Sequence, residues 1–399
     1  MKRFWEYKGV IYAVYALAAL LIAVQKLALT AQLGAKGGVQ SPTNYENYVI
    51  FKNSFFHLWQ GLNLYAAFPE EQWDLFKYSP VFALCMAPFA LLPDLLGLPL
   101  WNLLNALLPL AALFALPVLS DRQKVFCAWF ILPEMIVSVQ NSQSNGLTLG
   151  MMLWAYVWLE NAPASVGKSA KSSFAIAAAT FIKVFGIFAA ALSILYPQKR
   201  AFIAWLLVWT LIMTLAPLVA LSPEQLLRAY QWWWELLQGD HEASVGLSVQ
   251  GWLETWFGLV PSKMAVTGTG LVLFGASVLA VYREASTADR VLAWSSLLVW
   301  VVIFNHKAES PTFVIALCGM ALWYCYSRQG RWEKVLLWSA FILASVSPTD
   351  IFPRALREQV VQPYVLKALP FIVLWVLITV QLLRRYHAPT TEAHARVHH

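Results

Sequence analysis

Apolar residues run through this chain in about a dozen almost unbroken blocks, separated by short polar turns. The blocks fall near 9–27, 79–92, 98–119, 125–139, 146–160, 174–196, 201–221, 264–283, 289–304, 311–327, 334–346 and 365–384. A helix needs about 20 apolar residues to cross a bilayer core of roughly 30 Å. The pattern therefore predicts an all-α protein, a polytopic transmembrane helical bundle of about 12 segments. No polar, Gly/Ser-rich linker divides the blocks, so residues 1–399 are expected to form a single integral membrane domain. The first block is long enough to span and is not closed by a small-x-small cleavage site, so it reads as an uncleaved first helix.

Three stretches depart from simple spanning. From Tyr48 to Leu62 the large apolar residues Tyr48, Phe51, Phe55, Leu58, Trp59 and Leu62 recur at mostly three- and four-residue steps. That spacing predicts an amphipathic helix lying at the membrane interface, within a first outer loop over 28–78. The block 79–93 carries Pro80, Pro88 and Pro93, and the block 174–196 is interrupted from Lys183 to Gly186. Both are expected to be re-entrant or broken helices. Irregular backbone at membrane depth survives only where protein buries it or where it lines a wet cavity, and such breaks point to binding sites.

Composition supports the membrane reading: 59% of residues are hydrophobic and 12% charged, against roughly 25% charged in soluble domains. The formal net charge is +7. Its basic residues are scattered through short loops rather than gathered into a nucleic-acid patch, so no nucleic-acid partner is expected. They read instead as topology signals. "MKR", "SDRQK" (120–124), "GKSAKSS" (167–173), "PQKR" (197–200), "RQGRWEK" (328–334) and a tail over 385–399 would face the cytoplasm. The loops 28–78, 140–145, 222–263, 305–310 and 347–364 would face outward. Simple spanning gives this assignment the wrong parity in two intervals, which the two broken segments repair. The four cysteines, Cys85, Cys127, Cys318 and Cys325, sit in apolar blocks without metal-ligand spacing, so neither a metal nor another cofactor is expected.

Candidate chemistry collects on the predicted outer side. The first loop carries Glu46, Asn47, Lys52, Asn53, His57, Asp74 and Lys77. The turn "VQNSQSNG" (139–146) offers Gln140, Asn141, Gln143 and Asn145, whose amides both donate and accept toward hydroxyls. Lys183 stands inside an apolar block, where an ammonium needs an anion, water or a carboxylate. "QGDHEAS" brings Asp240, His241, Glu242 and Ser244; "FNHKAESP" brings His306, Lys307 and Glu309. In the last loop Arg354 and Arg357 stand one helical turn apart on the side where basic residues are scarce, a pairing suited to phosphate.

Taken in order, "NYVIFKNSFFHLWQGLNLY", "FKYSPVFALCMAPFALLP", "QNSQSNGLTLGMML", "AAATFIKVFGIF" and "FNHKAESPTF" resemble the motif succession of glycosyltransferase family 87, in the GT-C superfamily. The resemblance covers about residues 45–320 and departs at two points. Asn47 stands where the family has an acidic residue, and Gly186 where it has the proline of the broken helix.

The resemblance implies transfer of mannose or another hexose from a polyprenyl-phosphate-linked sugar donor to a lipid or glycan acceptor. The reaction would take place at the outer face of a bacterial plasma membrane. The leaving phosphate is already charged, so the site needs cations, for which Lys183, Arg354, Arg357 and Lys307 are candidates. The acceptor hydroxyl needs a general base in an inverting displacement. Glu46 is the first choice for that base, Asp74 and Glu309 follow, and His306 would be a positioner or alternate base. Asn47, Lys52, Tyr78, Gln140, Asn141, Asn145, His241, Glu242 and Ser244 are candidates for sugar and acceptor contacts. A lipid-carrier flippase or transporter would show an internal repeat, and none is found. A surface-polysaccharide ligase or polymerase would show a longer late outer loop than 222–263.

Overall fold

A computed structural model describes residues 7–35, 43–161, 164–239 and 245–386 of the 399-residue chain. Helix accounts for 77% of the structure, and no strand occurs among the described residues. The chain divides into two compact units. The first comprises the described residues of Met1–Ala190, Gln198–Ser244 and Ser310–Val314; the second, those of Ala191–Pro197, Val245–Glu309 and Ile315–His399.

In the first unit, α1 (Lys8–Ala35) leads to α2 (Glu46–Trp59), two short helices α3 (Pro80–Cys85) and α4 (Ala87–Ala90), and α5 (Asp94–Ala115). Then come α6 (Asp121–Gln140), α7 (Asn145–Glu160), α8 (Val166–Ile182), α9 (Lys199–Leu215) and α10 (Pro223–Gly239). Helix α1 continues helically through Ala35, beyond the expected end of its apolar block at 27. Serines begin several helices by accepting from backbone N–H groups: Ser79 for α3, Ser120 for α6 and Ser165 for α8. At α6, Gln123 returns the bond to the Ser120 backbone and completes a capping box.

A helix, α2, forms over most of the expected stripe, and the protein itself covers its apolar face except at Trp59, 58% exposed, and at Leu62 beyond its end, 42% exposed. Tyr48, Phe51, Phe55 and Leu58 are buried, and the helix packs on α3 and α4. Phe51 is the hub of an aromatic cluster, with ring centroids 4.9 Å from Tyr78, 5.3 Å from Phe82 and 5.6 Å from Trp101.

The second unit contains α11 (Val249–Phe257), α12 (Lys263–Val281), α13 (Thr287–Ile303), most of α14 (Phe313–Tyr326), α15 (Arg331–Phe341), the single turn α16 (Arg354–Leu356) and α17 (Leu369–Tyr386). Helix α13 is buried almost throughout. Its Trp294 donates its indole N–H to Tyr196 Oη at 3.0 Å, so the buried polar tip is satisfied.

Among the described residues, four helices are long and apolar enough to cross a membrane: Lys8–Gln32, Asp94–Ala115, Lys199–Val219 and Lys263–Val281. Other apolar blocks take different forms. Helices α7, α13 and α14 have 16, 17 and 14 residues, and α6 carries Asp121, Arg122, Lys124 and Glu134. The side chains of α7, α13 and α14 are largely buried within the protein.

Candidate active site

Helix α8 stops where the sequence places a charge in an apolar block. Lys183 takes extended backbone angles (φ −140°, ψ 119°), and a 3-10 helix follows over Val184–Leu195. The break frees carbonyls at the end of α8, and Ser79 takes one of them, donating to Phe181 O at 2.5 Å. The same hydroxyl accepts from Phe82 N at 3.3 Å, so one side chain ties the start of α3 to the end of α8. Gly186 is required at this fold-back, because a Cβ there would lie 2.5 Å from the Ala179 carbonyl carbon.

The polar turn before α7 is held from below by α5. Trp101 donates to Ser142 O at 2.9 Å, and Asn105 Oδ1 accepts from Leu147 N at 2.9 Å. Gly146 allows this approach, since a Cβ would meet Asn105 O at 2.1 Å. Ser142 adopts φ 49°, a left-handed conformation that few non-glycine residues accept without a compensating constraint.

These two constructions meet. Lys183 Nζ lies 2.6 Å from Asn145 Oδ1 and 6.0 Å from the centroid of the Tyr78 ring, within cation–π range. Tyr78 donates to Gln143 Oε1 at 3.4 Å and accepts from Ser144 Oγ at 3.2 Å. Its backbone is fixed by Tyr65, whose hydroxyl donates to Tyr78 O at 2.9 Å. Tyr78, Gln143, Ser144, Asn145 and Lys183 thus form one connected cluster: a half-buried cation in a cradle of amides, hydroxyls and an aromatic face. Such a cradle suits an anionic group attached to a polyhydroxyl body.

The N-terminus of α2 is tied to the same turn, because Asn47 Nδ2 donates to Asn141 O at 2.9 Å. Glu46 precedes it and is half-buried; burial pushes its carboxyl above the ordinary value, and the nearby Lys26 pulls it partly back. The other first-loop candidates have partners of their own. Lys52 pairs with Asp94 Oδ1 at 2.5 Å, and Tyr45 donates to Asp94 Oδ2 at 3.0 Å, which clamps α2 to the start of α5. Asp74 pairs with Lys77 at 3.0 Å and accepts from Leu75 N at 2.7 Å. Gln140 is exposed at the end of α6.

The second unit keeps its own candidates. His306, Lys307 and Glu309 share the turn after α13, shaped by Asn305, whose Oδ1 accepts from Lys307 N at 3.0 Å. Loop residues ahead of α11 dock on it: Leu247 N donates to Ala308 O at 3.0 Å, and Gly246 stands against the His306 carbonyl. The two arginines of the last loop have separate partners in the structure. Arg354 is 80% exposed and binds Glu358 at 2.7 Å. Arg357 donates to Thr349 O at 3.0 Å and Pro348 O at 3.4 Å. His241, Glu242 and Ser244 lie outside the described residues.

A family model for glycosyltransferase family 87 matches residues 76–311. The chain belongs to glycosyltransferase family 87. As a family 87 member it is a membrane glycosyltransferase, acting on a sugar donor and an acceptor. No curated protein matches it. The family match contains Tyr78, Gln140, Asn141, Asn145, Lys183, His306, Lys307 and Glu309; Glu46, Asn47, Lys52, Asp74, Arg354 and Arg357 lie outside it.

Sequence reasoning passed over three ionisable residues that the structure brings forward. Asp94 anchors both Lys52 and Tyr45. Glu134 is fully buried in α6, and Lys367, before α17, is 4% exposed. A lone carboxylate or ammonium inside an apolar block is the signal that would have found Glu134 and Lys367. Asp94 gives no such signal, because an acidic residue after Pro93 reads as an ordinary helix start.

Proposed function

We propose that this family 87 enzyme transfers a hexose, mannose being the first candidate, from a polyprenyl-phosphate donor to a lipid or glycan hydroxyl, with inversion, at the outer face of a bacterial plasma membrane. The observation that carries the reading is the Lys183 ammonium, held by Asn145 at 2.6 Å beside the Tyr78 ring at a helix break. An ammonium fixed in this way stabilises charge as it builds on a leaving phosphate, and a pre-set polar environment does so without reorganising at the moment of reaction. The amides of Gln143 and Asn145 and the Tyr78 hydroxyl supply the donors and acceptors that orient sugar hydroxyls.

In the proposed displacement, the acceptor oxygen bonds to the anomeric carbon as the carbon–oxygen bond to phosphate breaks. The phosphate leaves with the bonding pair, and the hydroxyl proton passes to a carboxylate. Glu46 is assigned that role: its raised pKa suits a base, and its neighbour Asn47 is tied to the turn that carries Asn145. Asp74, paired with Lys77, and Glu309, exposed, are the next choices, with His306 as positioner. Lys307 and the guanidinium groups of Arg354 and Arg357 are secondary candidates for the phosphate.

The test supplies purified protein with a set of polyprenyl-phosphate hexoses and lipid acceptors and measures donor consumption and glycolipid formation. Consumption of one donor with release of polyprenyl phosphate supports the reading. Turnover only with a nucleotide sugar, or with a polyprenyl diphosphate sugar, would reject it.

A further inference from the structure

We infer that the second unit holds a binding site for an anionic diacyl phospholipid, separate from the cradle around Lys183. Helices α14, α15 and α17 enclose an open groove of about 1180 Å³, at or above the roughly 300–1,000 Å³ of sites for drug-sized ligands. The groove has two chemistries along its length. One wall is the α17 stripe Val373, Leu377 and Val380, which are 41%, 49% and 39% exposed, faced by Val335 and Leu336 of α15. These are spaced like one face of a helix and present hydrocarbon to hydrocarbon.

The other end is polar and basic. The stripe continues one turn on to Arg384, and Arg328, just after α14, lines the same groove with Tyr326 and Ser327. Both arginines are exposed, and neither forms an ion pair among the described residues. Arg385, also in the lining, differs: it pairs with Asp289 at 2.5 Å and donates to Ser286 Oγ at 3.2 Å. Glu333 is the one acidic group in the lining, so the mouth keeps a positive balance against it. Trp332 stands 79% exposed at this end, as an indole does at the level of lipid headgroups.

An apolar trough ending in two available guanidinium groups matches acyl chains below a phosphate, which Arg binds in a planar, bidentate fashion. Basic pockets between helices on the cytoplasmic side recognise anionic headgroups in this way. The loop with Arg328, Arg331 and Lys334 and the end of α17 with Arg384 and Arg385 have the charge pattern expected of that side. The proposal commits to a phospholipid of the surrounding leaflet, not to the polyprenyl-phosphate donor.

The experiment places the full chain in nanodiscs of equal phosphatidylglycerol and phosphatidylcholine, then counts lipids retained through delipidation by native mass spectrometry. The expected result is a retained phosphatidylglycerol preferred about 10- to 30-fold over phosphatidylcholine, with that preference lost in the R328Q/R384Q variant. Both side chains are exposed, so the variant should fold; an unchanged circular dichroism spectrum checks this. A Leu377→Trp variant, which fills the trough and keeps both charges, should lower retention of either lipid. Equal retention of the two lipids, a preference that survives R328Q/R384Q, or displacement of phosphatidylglycerol by equimolar polyprenyl phosphate would each overturn the proposal. Donor turnover by the same samples is read separately, so failure of this site and failure of the sugar-transfer reading remain distinct.

Discussion

Lys183 Nζ and Asn145 Oδ1 lie 2.6 Å apart, joining a broken helix to a turn 38 residues earlier in the chain. The amide accepts from the ammonium and fixes its position without itself adding a counter-charge. Replacing Lys183 with Met should therefore lower kcat/KM for the lipid-phosphate donor about 10²- to 10³-fold. The discriminating variant is Asn145→Asp. A carboxylate at that position would satisfy the charge and repel the donor, so its KM for the donor should rise more than that of Asn145→Ala. If Asp is tolerated as well as Ala in steady-state assays at low salt, Lys183 does not face the phosphate.

Glu46 offers a test through pH. Burial raises its pKa above the ordinary 4.5, and Lys26 opposes the shift. A base is active when ionised, so turnover should fall as pH drops through this raised value, and Lys26→Met should move that acid limb still higher. Stability runs the other way: a raised carboxyl contributes stability that is fully present below 4.5 and lost as pH rises through the folded value. Glu46→Gln should cost about 10²- to 10⁴-fold in kcat while donor binding, measured by titration, is retained. An acid limb that stays in place in the Lys26 variant would transfer the role to another carboxylate.

The break at Lys183 was legible in the sequence because a charge in the middle of an apolar block conflicts with a continuous helix, and the structure ends α8 at Ile182. The split at 79–93 was legible for a similar reason, three prolines in fifteen residues, and appears as α3 and α4. Partners distant in sequence were not legible. Nothing local in "NYVIFKNSF" says that Lys52 will be taken by Asp94, 42 residues on, or that Tyr78 will reach Gln143. For Arg354 and Arg357 the spacing was legible but not their present partners, a neighbouring carboxylate for one and two carbonyls for the other. The extents of α13 and α14 were legible, since the blocks 289–304 and 311–327 lie close to Thr287–Ile303 and Phe313–Tyr326, but what surrounds them was not. Hydropathy does not distinguish a helix surrounded by protein from one surrounded by lipid, because both demand apolar side chains all round.

Tyr78 separates two contributions within one residue. Its ring lies 6.0 Å from Lys183 Nζ, and its hydroxyl bonds Gln143 and Ser144. Tyr78→Phe keeps the ring and removes two bonds worth about 0.5–1.5 kcal/mol each, so kcat/KM should fall about 5- to 150-fold. Tyr78→Ala also removes the aromatic face, which packs on Phe51 and Phe82, and should cost stability as well as activity. Thermal unfolding alongside steady-state rates separates the two effects. Equal loss in the Phe and Ala variants would mean that the hydroxyl, not the ring, is what the site uses.

Gly246 tests the turn that carries His306, Lys307 and Glu309. It adopts φ +55°, and a Cβ there would lie 2.6 Å from His306 O and 3.1 Å from Ala308 N, both backbone atoms that have little room to move. The left-handed conformation alone costs an L-residue about 1–2 kcal/mol, and the close approach adds to it. Gly246→Ala should therefore lower the unfolding temperature and weaken the bond from Leu247 N to Ala308 O, seen as faster amide exchange at Leu247. Gly268, on α12 of the same unit, is the matched control: a Cβ there meets nothing within 4 Å. Gly268→Ala should be neutral or stabilising by up to about 1 kcal/mol through helix propensity. If the two substitutions behave alike, the loop over 245–248 is not held against the turn, and the three side chains on it lose the support that this packing provides.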